Sequence, residues 1–379
     1  MKIIGIICEY NPFHLGHQKQ IRWIRQQFSE ECAIVCLMSG NFVQRGHPAI
    51  FDKSLRAKAA VDSGADLVLE LPTTYSLRSA EGFAAGGVEI LGKFCDYLCF
   101  GTETGEISNL MATAQTLLSS AFPQALRGQL EKGLSFPAAR QAALEEMGTE
   151  AALLANPNDI LAVEYCKAIL SQGSSMLPLP LKREGGYHDE TPDPENPSAT
   201  ALRTLICENR PWDAYVPSSA ILEGPIHTLE AGERAILARL RTMRDEEFEA
   251  LPYGSEGLWR KLMHSARSCG TLEEILSATK SKRYTRTRLD RMVMCAYLGI
   301  TQKILEESAP WVRVLGFSHR GITALKAARD VGSFPHTGEQ MEGAYQQLET
   351  VWDDLYGLFR ADSPSPAGNT SSRRVYIQR

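Results

Sequence analysis

Four mainly apolar runs, separated by helical patterns, constrain the fold of this chain more than any other feature of its sequence. The runs are "KIIGIIC", "CAIVCLMSG", "ADLVLELP" and "CDYLCFGTETG". Continuous apolar runs of this length are typical of strands that are buried on both faces of a parallel sheet. The intervening patterns, "GHQKQIRWIRQQF", "KSLRAKAAVDSG" and "GFAAGGVEILGKF", supply the crossover helices. Repeated βα units predict an α/β fold with a doubly wound, Rossmann-like parallel sheet, whose ligands bind at the carboxyl ends of the strands.

The remainder of the chain divides into three parts by pattern. Helical patterns continue to about residue 172, a short strand follows in "LPLPLKREGGYHD", and "SATALR" opens another helix. After about residue 210 the patterns are amphipathic helices, and Thr271 with Glu274 predicts a capping box. The end of the chain is rich in Ser, Pro and Gly. We therefore predict an α/β domain over 1–210, a mainly helical domain over 211–361 and a flexible tail over 362–379.

Composition indicates an ordinary globular protein. The 379 residues carry a formal net charge of −5, so any surface that attracts nucleic acid must be local. "MKIIGII" is too short to be a signal peptide, and no run reaches the roughly 18 apolar residues that span a membrane, so we expect a cytoplasmic protein without a membrane partner. The nine cysteines lie mostly among apolar neighbours, as in a reduced compartment. Cys95 and Cys99 lack a histidine cluster that would complete a zinc site.

Two histidines lie between the first strand and the first helix, in "EYNPFHLGH". A helix N-terminus presents unpaired N–H groups and the positive end of the helix dipole, which suit a phosphate group. Gly16 leaves room for a nucleotide against the backbone, and His14 and His17 supply donors for phosphate oxygens as charge develops there. The alternative is that one histidine caps the helix and the other lies on the surface.

Further polar motifs follow the other predicted strands. Ser198, Thr200 and Arg203 in "SATALR" are suited to hold phosphates and to neutralise departing pyrophosphate, or else form an ordinary helix cap. Each of the remaining motifs contains polar residues or glycines, which are also common in turns and helix caps. These motifs are "MSGNFVQRG" with Asn41, Gln44 and Arg45, "FGTETG" with Gly101, "NPNDILAVEY" with Asn158, and "KREGGYHD" with Lys182, Arg183 and His188.

The motif "HLGH" resembles the signature of the HIGH nucleotidyltransferase superfamily, whose members catalyse attack by a phosphate or a carboxylate on the α-phosphate of a nucleoside triphosphate. All the motifs together resemble, in order, those of the bacterial tRNA(Met) cytidine acetate ligases, over most of residues 1–330. "PND" stands where that family's pattern leads us to expect "PNN". The resemblance implies that acetate attacks ATP to give acetyladenylate, and that the acetyl group passes to N4 of the wobble cytidine of elongator tRNA(Met).

The resemblance also assigns residues. It implies that His14, His17 and Arg203 are catalytic. It also implies that ATP is a substrate and that Mg²⁺ binds with the triphosphate, without a metal site built by protein side chains. The implied ATP contacts are Ile7, Cys8, Glu9, Tyr10, Asn11, Pro12, Phe13, His14, Leu15, Gly16, His17, Gln18, Lys19, Gln20, Gly101, Asn158, Arg183, Ser198 and Thr200. Acetate needs a cation or a few donors in a confined pocket, and we assign Asn41, Gln44 and Arg45 to it.

One basic segment stands out in this acidic chain. "KSKRYTRTRLDR" contains six cations and one acid, Asp290, and Tyr284 is placed to stack on a base. Such a segment attracts a phosphate backbone, although a solvated helix face has the same composition. The predicted tRNA-binding residues are Lys280, Lys282, Arg283, Tyr284, Arg286, Arg288 and Arg291.

Two other functions remain open on sequence grounds. A nucleotidylyltransferase that couples ATP or CTP to a small phosphorylated metabolite would use the same histidines. A non-catalytic RNA-binding protein would need none of them.

Overall fold

A seven-stranded sheet forms the centre of the computed structural model, which describes residues 1–28, 31–149, 151–183, 193, 197–332, 344–368 and 374–378. Its strand order is β7-β6-β1-β2-β5-β8-β9, and β3 and β4 form a separate hairpin. The strands are β1 Lys2–Cys8, β2 Cys32–Ser39, β3 Phe42–Val43, β4 His47–Pro48, β5 Leu67–Leu71, β6 Tyr97–Thr102, β7 Leu177–Lys182, β8 Val314–Phe317 and β9 Tyr376–Ile377.

Seventeen α-helices are formed by the described residues. They are α1 Leu15–Phe28, α2 Lys53–Asp62, α3 Thr73–Ser76, α4 Ala80–Leu91, α5 Ile107–Leu118, α6 Phe122–Glu131, α7 Phe136–Glu146, α8 Pro157–Ser171, α9 Ala199–Cys207, α10 Leu229–Thr242, α11 Asp245–Glu249, α12 Leu258–Ser268, α13 Leu272–Thr279, α14 Arg286–Leu298, α15 Gln302–Glu306, α16 Gly321–Val331 and α17 Ala344–Tyr356. Short 3₁₀ turns cover Ala151–Ala155, Asp213–Tyr215, Ser218–Ala220 and Gly357–Phe359. No helix within the described ranges has the length and apolar character to cross a bilayer.

The five strands β7-β6-β1-β2-β5 are parallel, as the apolar runs predict. Every residue of β2 and β5 is buried, because helices cover both faces of the sheet. One face packs against α4, α5, α8 and α16, and the other packs against α1 and α2. The chain runs outward from β1 in both directions, to β2 and to β6. This reversal opens a crevice at the carboxyl ends of β1 and β6, where doubly wound sheets bind ligands.

The helical part has an apolar core of its own, built from α10 to α14 with α17. The predicted capping box is present in α13: Thr271 Oγ1 accepts the Glu274 N–H at 3.2 Å, and Glu274 Oε2 accepts the Thr271 N–H at 3.1 Å. The prediction of amphipathic helices after residue 210 is confirmed by these elements.

The C-terminal third departs from the expected organisation in two places. β8 pairs antiparallel with β5, and Val314, Ala324 and Leu325 belong to the core of the sheet rather than to the helical core. Within the tail predicted to be flexible, Tyr376–Ile377 pairs in parallel with β8 as the edge strand β9. The sequence does not predict this strand, because only two residues pair and the segment before them is polar and rich in proline. The boundary at residue 210 stays a prediction.

Candidate active site

A cavity of roughly 1520 Å³ opens at the carboxyl ends of β1 and β6. It is lined by most of the residues that the sequence singles out. From the predicted sets these are Ile7, Cys8, Glu9, Tyr10, Asn11, His14, Gly16, His17, Lys19, Gln20, Gln44, Arg45, Gly101, Asn158, Arg183, Ser198, Thr200, Arg203 and Arg291. Pro12, Phe13, Leu15 and Gln18 do not line it, and Phe13 is fully buried in the core.

The two histidine rings lie stacked at the start of α1, with centroids 3.6 Å apart. His14 Nδ1 accepts the Gly16 N–H at 3.1 Å, and His17 Nδ1 accepts the His14 N–H at 3.2 Å. Because both Nδ1 atoms act as acceptors, each neutral ring carries its proton on Nε2. A Cβ on Gly16 would lie 3.0 Å from His14 Cε1, so a side chain there would crowd the ring.

Burial keeps both imidazoles uncharged in the free protein. It lowers the pKa of His14 to about 3, with the Arg183 and Arg203 guanidinium groups adding to the effect. The pKa of His17 is also lowered well below its usual value, first by burial and then by His14 and Arg183. Two neutral donors with two arginines near them suit a polyanionic ligand, which would draw the imidazoles toward their charged form.

The SATALR motif caps α9, which was the alternative to phosphate binding, and it also reaches the histidine loop. Ser198 Oγ accepts the Ala201 N–H at 3.1 Å. Arg203 donates to the Asn11 carbonyl at 2.8 Å and to Thr200 Oγ1 at 3.0 Å. The guanidinium is therefore fixed beside the loop that carries His14.

Gly101, Asn158 and Arg183 come together on the β6 side of the cavity. Arg183 Nη1 donates to Asn158 Oδ1 at 3.4 Å, and Asn158 Nδ2 donates to Glu103 Oε1 at 2.6 Å. A Cβ on Gly101 would lie 2.9 Å from Arg183 Cδ, so a side chain there would displace the arginine. Of the KREGGYHD motif, Lys182 and Arg183 are described, while His188 lies outside the described residues.

Sequence reasoning missed Arg56, a fully buried residue that joins the loops around the site. Its guanidinium donates to the carbonyls of Glu9 at 2.6 Å, Ser39 at 3.1 Å and Phe51 at 2.9 Å, and to that of Gly40. The pattern "KSLRAKAA" predicts that its arginine lies on the solvent-exposed face of a helix, so the neighbouring residues do not indicate that Arg56 is buried. Arg56 holds the segments after β1 and β2 in register with each other.

The three residues assigned to acetate separate in the structure. Gln44 and Arg45 line the cavity, but Asn41 does not. Asn41 is buried, its Nδ2 donates to Asp353 Oδ1 at 2.9 Å, and its Oδ1 accepts the Lys53 N–H at 2.9 Å. The Asn41 assignment is therefore wrong, because its amide is used within the protein.

Much of the charge in the basic segment is balanced by acids, of which Glu256 and Glu273 lie outside the segment. Arg286 pairs with Glu273 at 2.7 Å and with Asp290 at 2.9 Å, and Arg283 pairs with Glu256 at 3.1 Å. Arg288 donates to the Tyr253 carbonyl at 2.8 Å, and the Tyr284 hydroxyl donates to Glu256 at 2.9 Å. Lys280 and Lys282 are exposed.

Helix α14 nevertheless borders the cavity. Arg291 and Thr287 line it, and Arg291 Nη1 lies 3.5 Å from the Gln44 carbonyl. Gly46, at φ +82°, packs so closely on α14 that a Cβ would lie 2.5 Å from the Arg291 nitrogen. The β3–β4 hairpin thus connects the basic segment to the histidine loop.

Comparison with known proteins identifies the family and the fold. A family model described as HIGH Nucleotidyl Transferase matches residues 1–363. The parallel sheet with a histidine pair after its first strand defines the chain as a HIGH-type nucleotidyl transferase.

Two curated relatives carry one name, tRNA(Met) cytidine acetate ligase. The protein from Acetivibrio thermocellus is 34% identical over 364 residues, covering 88% of this chain and 87% of the relative. The protein from Alkaliphilus metalliredigens is 37% identical over 370 residues, with the same coverage of 88% and 87%. The chain belongs to the tRNA(Met) cytidine acetate ligase family.

Two crystal structures of Thermotoga maritima TmcAL have the same fold. The apo form matches with a TM-score of 0.89 at 28% identity, and the form bound with alpha-thio ATP matches with a TM-score of 0.86 at 27% identity. Each match covers 100% of both chains.

Proposed function

We propose that this protein is an ATP-dependent ligase of the cytoplasm that acetylates N4 of the wobble cytidine in elongator tRNA(Met). Acetate first attacks the α-phosphate of ATP, giving acetyladenylate and pyrophosphate. The cytidine amine then takes the acetyl group and AMP leaves. The observation that carries the proposal is the stacked pair His14–His17, which shares one cavity with Arg183 and Arg203. Helix α14 also borders that cavity.

Different residues of the cavity would bind different parts of ATP during the activation step. His14 and His17 would donate from Nε2 to α-phosphate oxygens, where negative charge builds up during attack. Arg203, Ser198 and Thr200 would hold the departing pyrophosphate, with Arg203 already oriented by the Asn11 carbonyl. Arg183 and Asn158 would bind on the β6 side, over Gly101.

Mg²⁺ would enter with the triphosphate. Among the described residues there is no group of three or more His, Cys, Asp and Glu side chains that could hold a metal ion. A lining of arginine, amide and hydroxyl groups instead fits a cation carried by phosphates and water. The ion would reduce the negative charge that acetate meets.

Gln44 and Arg45 support an acetate site on the hairpin side of the cavity. Both line it, and a donor with a cation is what one small carboxylate requires. Asn41 is not part of this proposal. No Cys or Ser nucleophile with a base was evident in the sequence, which fits direct transfer from the adenylate.

The RNA would approach across the start of α14. The exposed side chains of Lys280, Lys282 and Arg283 lie at that end, and Arg291 reaches the cavity from the same helix. The proposal assigns phosphate contacts to the exposed cations, while Arg286, Arg288 and Arg291 mainly support the helix and the hairpin.

Pyrophosphate release from ATP, measured with and without acetate, tests the activation step. Analysis of the nucleosides of tRNA added to the same reaction tests transfer. We expect release that depends on acetate, followed by acetylated cytidine. Release that ignores acetate, or that requires a phosphorylated metabolite, would instead favour a small-molecule nucleotidylyltransferase.

His17→Ala should lower the acetate-dependent release by roughly 10²–10³-fold, because one preorganised donor to the developing charge is lost. Binding of tRNA should be nearly unchanged, since His17 lies inside the ATP cavity rather than on the α14 surface. His264→Ala, on the exposed face of α12, is the matched control. Equal effects of the two substitutions would refute the assignment of the histidines.

A further inference from the structure

Glu9 lies where the histidine loop meets the hairpin that leads to α14. It follows the last residue of β1 and lines the cavity, and its side chain is half-buried. Its Oε1 accepts the Gln44 N–H at 2.8 Å, while its carbonyl accepts from Arg56 at 2.6 Å. Backbone and side chain are therefore both fixed, and the carboxylate is fixed from the hairpin side.

The Glu9 carboxylate forms no ion pair with a residue that the structure describes, and it accepts the N–H bond from Gln44. The nearby Arg56 guanidinium bonds to the Glu9 carbonyl, and while burial lowers the pKa of Arg56, the Glu9 charge acts to raise it.

Two other acids that line the cavity are paired with cations: Glu81 with Lys167 at 2.7 Å, and Glu164 with Arg140 at 2.6 Å and Lys167 at 3.0 Å. Glu230, which also lines it, is exposed to solvent.

An unpaired carboxylate is an unexpected neighbour for ATP and acetate, which are both anions. Its natural partner is a hydrogen-bond donor, and an amine of a base is a good one, as in carboxylate contacts to cytosine N4. The acetyl carbon of acetyladenylate is one oxygen away from the α-phosphate. The attacking amine must therefore come close to the loop that carries Glu9 and His14, and the hairpin side is the side that α14 borders.

We propose that Glu9 is the catalytic residue that receives the cytidine N4 amine and takes its proton during acetyl transfer, an inference that rests on the proposed function. A carbon–nitrogen bond forms between N4 and the acetyl carbon, and the bond from that carbon to the adenylate oxygen breaks. The electron pair of the broken bond leaves with AMP. One N4 proton passes to Glu9 and then to solvent, which restores the carboxylate for the next cycle.

Glu9→Gln tests this assignment, because the amide oxygen keeps the bond from the Gln44 N–H while the proton acceptor is lost. Since Glu9 is also one of the implied ATP contacts, the two steps are compared with each other: acetate-dependent exchange of pyrophosphate into ATP should fall far less than transfer. Transfer to tRNA, measured in a single turnover from synthetic acetyladenylate, should fall by roughly 10²-fold or more, the usual range for a general base. Glu9→Asp, which retains a carboxylate, should recover part of the transfer rate.

Glu208→Gln is the matched control, since Glu208 lines the rim of the same cavity and pairs with Arg210 at 3.0 Å. It should behave as wild type in both assays. Wild-type transfer by Glu9→Gln would overturn the inference alone. Equal loss of exchange and transfer in Glu9→Gln would also overturn it, because Glu9 would then serve ATP. No acetate-dependent exchange in the wild type would overturn the proposed function and this inference together.

Discussion

At the scale of single residues, burial decides the charge of the imidazoles. The pKa of His14 is lowered to about 3 and that of His227, which stacks on Tyr356, to about 4, in each case chiefly by burial. In the unfolded chain both rings regain an ordinary pKa near 6.5. The unfolded state therefore binds protons below about pH 6.5 that the folded state does not bind.

The free energy of unfolding should consequently decrease as the pH falls from about 7 toward 4, and stay level above 7 as far as these groups are concerned. Urea denaturation at several pH values measures this. His14→Gln should show a shallower decrease than wild type, and His264→Ala, at an exposed position, should not. Identical slopes for wild type and His14→Gln would contradict the buried neutral state.

Gly101 gives a second prediction at this scale. In Gly101→Ala the new Cβ would lie 2.9 Å from Arg183 Cδ, and the arginine side chain is the group that moves. We expect ATP binding to weaken by roughly 10-fold or more, the effect of losing a hydrogen bond to a charged group, with little change in thermal stability. Isothermal titration with ATP measures it. Gly128→Ala, whose Cβ meets nothing within 4 Å, should bind ATP as wild type does; weakened binding there too would point to a general effect.

At the scale of elements, the start of α14 separates exposed cations from structural ones. Lys282 is exposed, and Arg283 lies in a pair with Glu256 whose two side chains are exposed. Arg286 is instead held by Glu273 and the buried Asp290. The variant with Lys282→Ala and Arg283→Ala should bind tRNA more weakly and lower the slope of log affinity against log salt by about 2. Acetate-dependent pyrophosphate release should be unchanged.

Filter binding over a range of salt concentrations measures that slope. Lys303→Ala, at an exposed position on α15, is the control for loss of one surface cation. An unchanged slope in the double variant would remove α14 from the RNA surface. Arg286→Ala is a poorer test, because it leaves Glu273 and the buried Asp290 without their partner.

At the scale of the whole molecule, a buried ionic cluster joins the sheet to the C-terminal helix. Lys53 Nζ lies 2.7 Å from both Glu70 and Asp353, and Arg313 pairs with Asp353 at 3.1 Å. Lys53→Ala leaves two buried carboxylates short of a cation and should destabilise the protein by about 3–5 kcal/mol. Lys58→Ala, which removes a half-exposed pair with Asp62 on the same helix, should cost less than about 1 kcal/mol. Urea denaturation compares them, and equal losses would contradict a structural role for the cluster.

The sequence predicts the parallel strands, the helices and the histidine loop because each depends on local periodicity or on a contiguous motif. It does not predict contacts between distant segments. Lys53 and Asp353 are separated by 300 residues, and no sequence pattern near either residue predicts that they form an ion pair. The same limitation explains Asn41, assigned to acetate but used by Asp353, and Arg286, assigned to RNA but held by Glu273.

The central claim is that this protein passes acetate through an adenylate to tRNA, and acetate labelled with ¹⁸O tests it most directly. The acetate oxygen that attacks the α-phosphate stays with phosphorus when N4 takes the acetyl group. The account predicts AMP that carries one ¹⁸O atom, formed together with acetylated cytidine and measured by mass spectrometry. Unlabelled AMP beside acetylated cytidine would contradict the adenylate route.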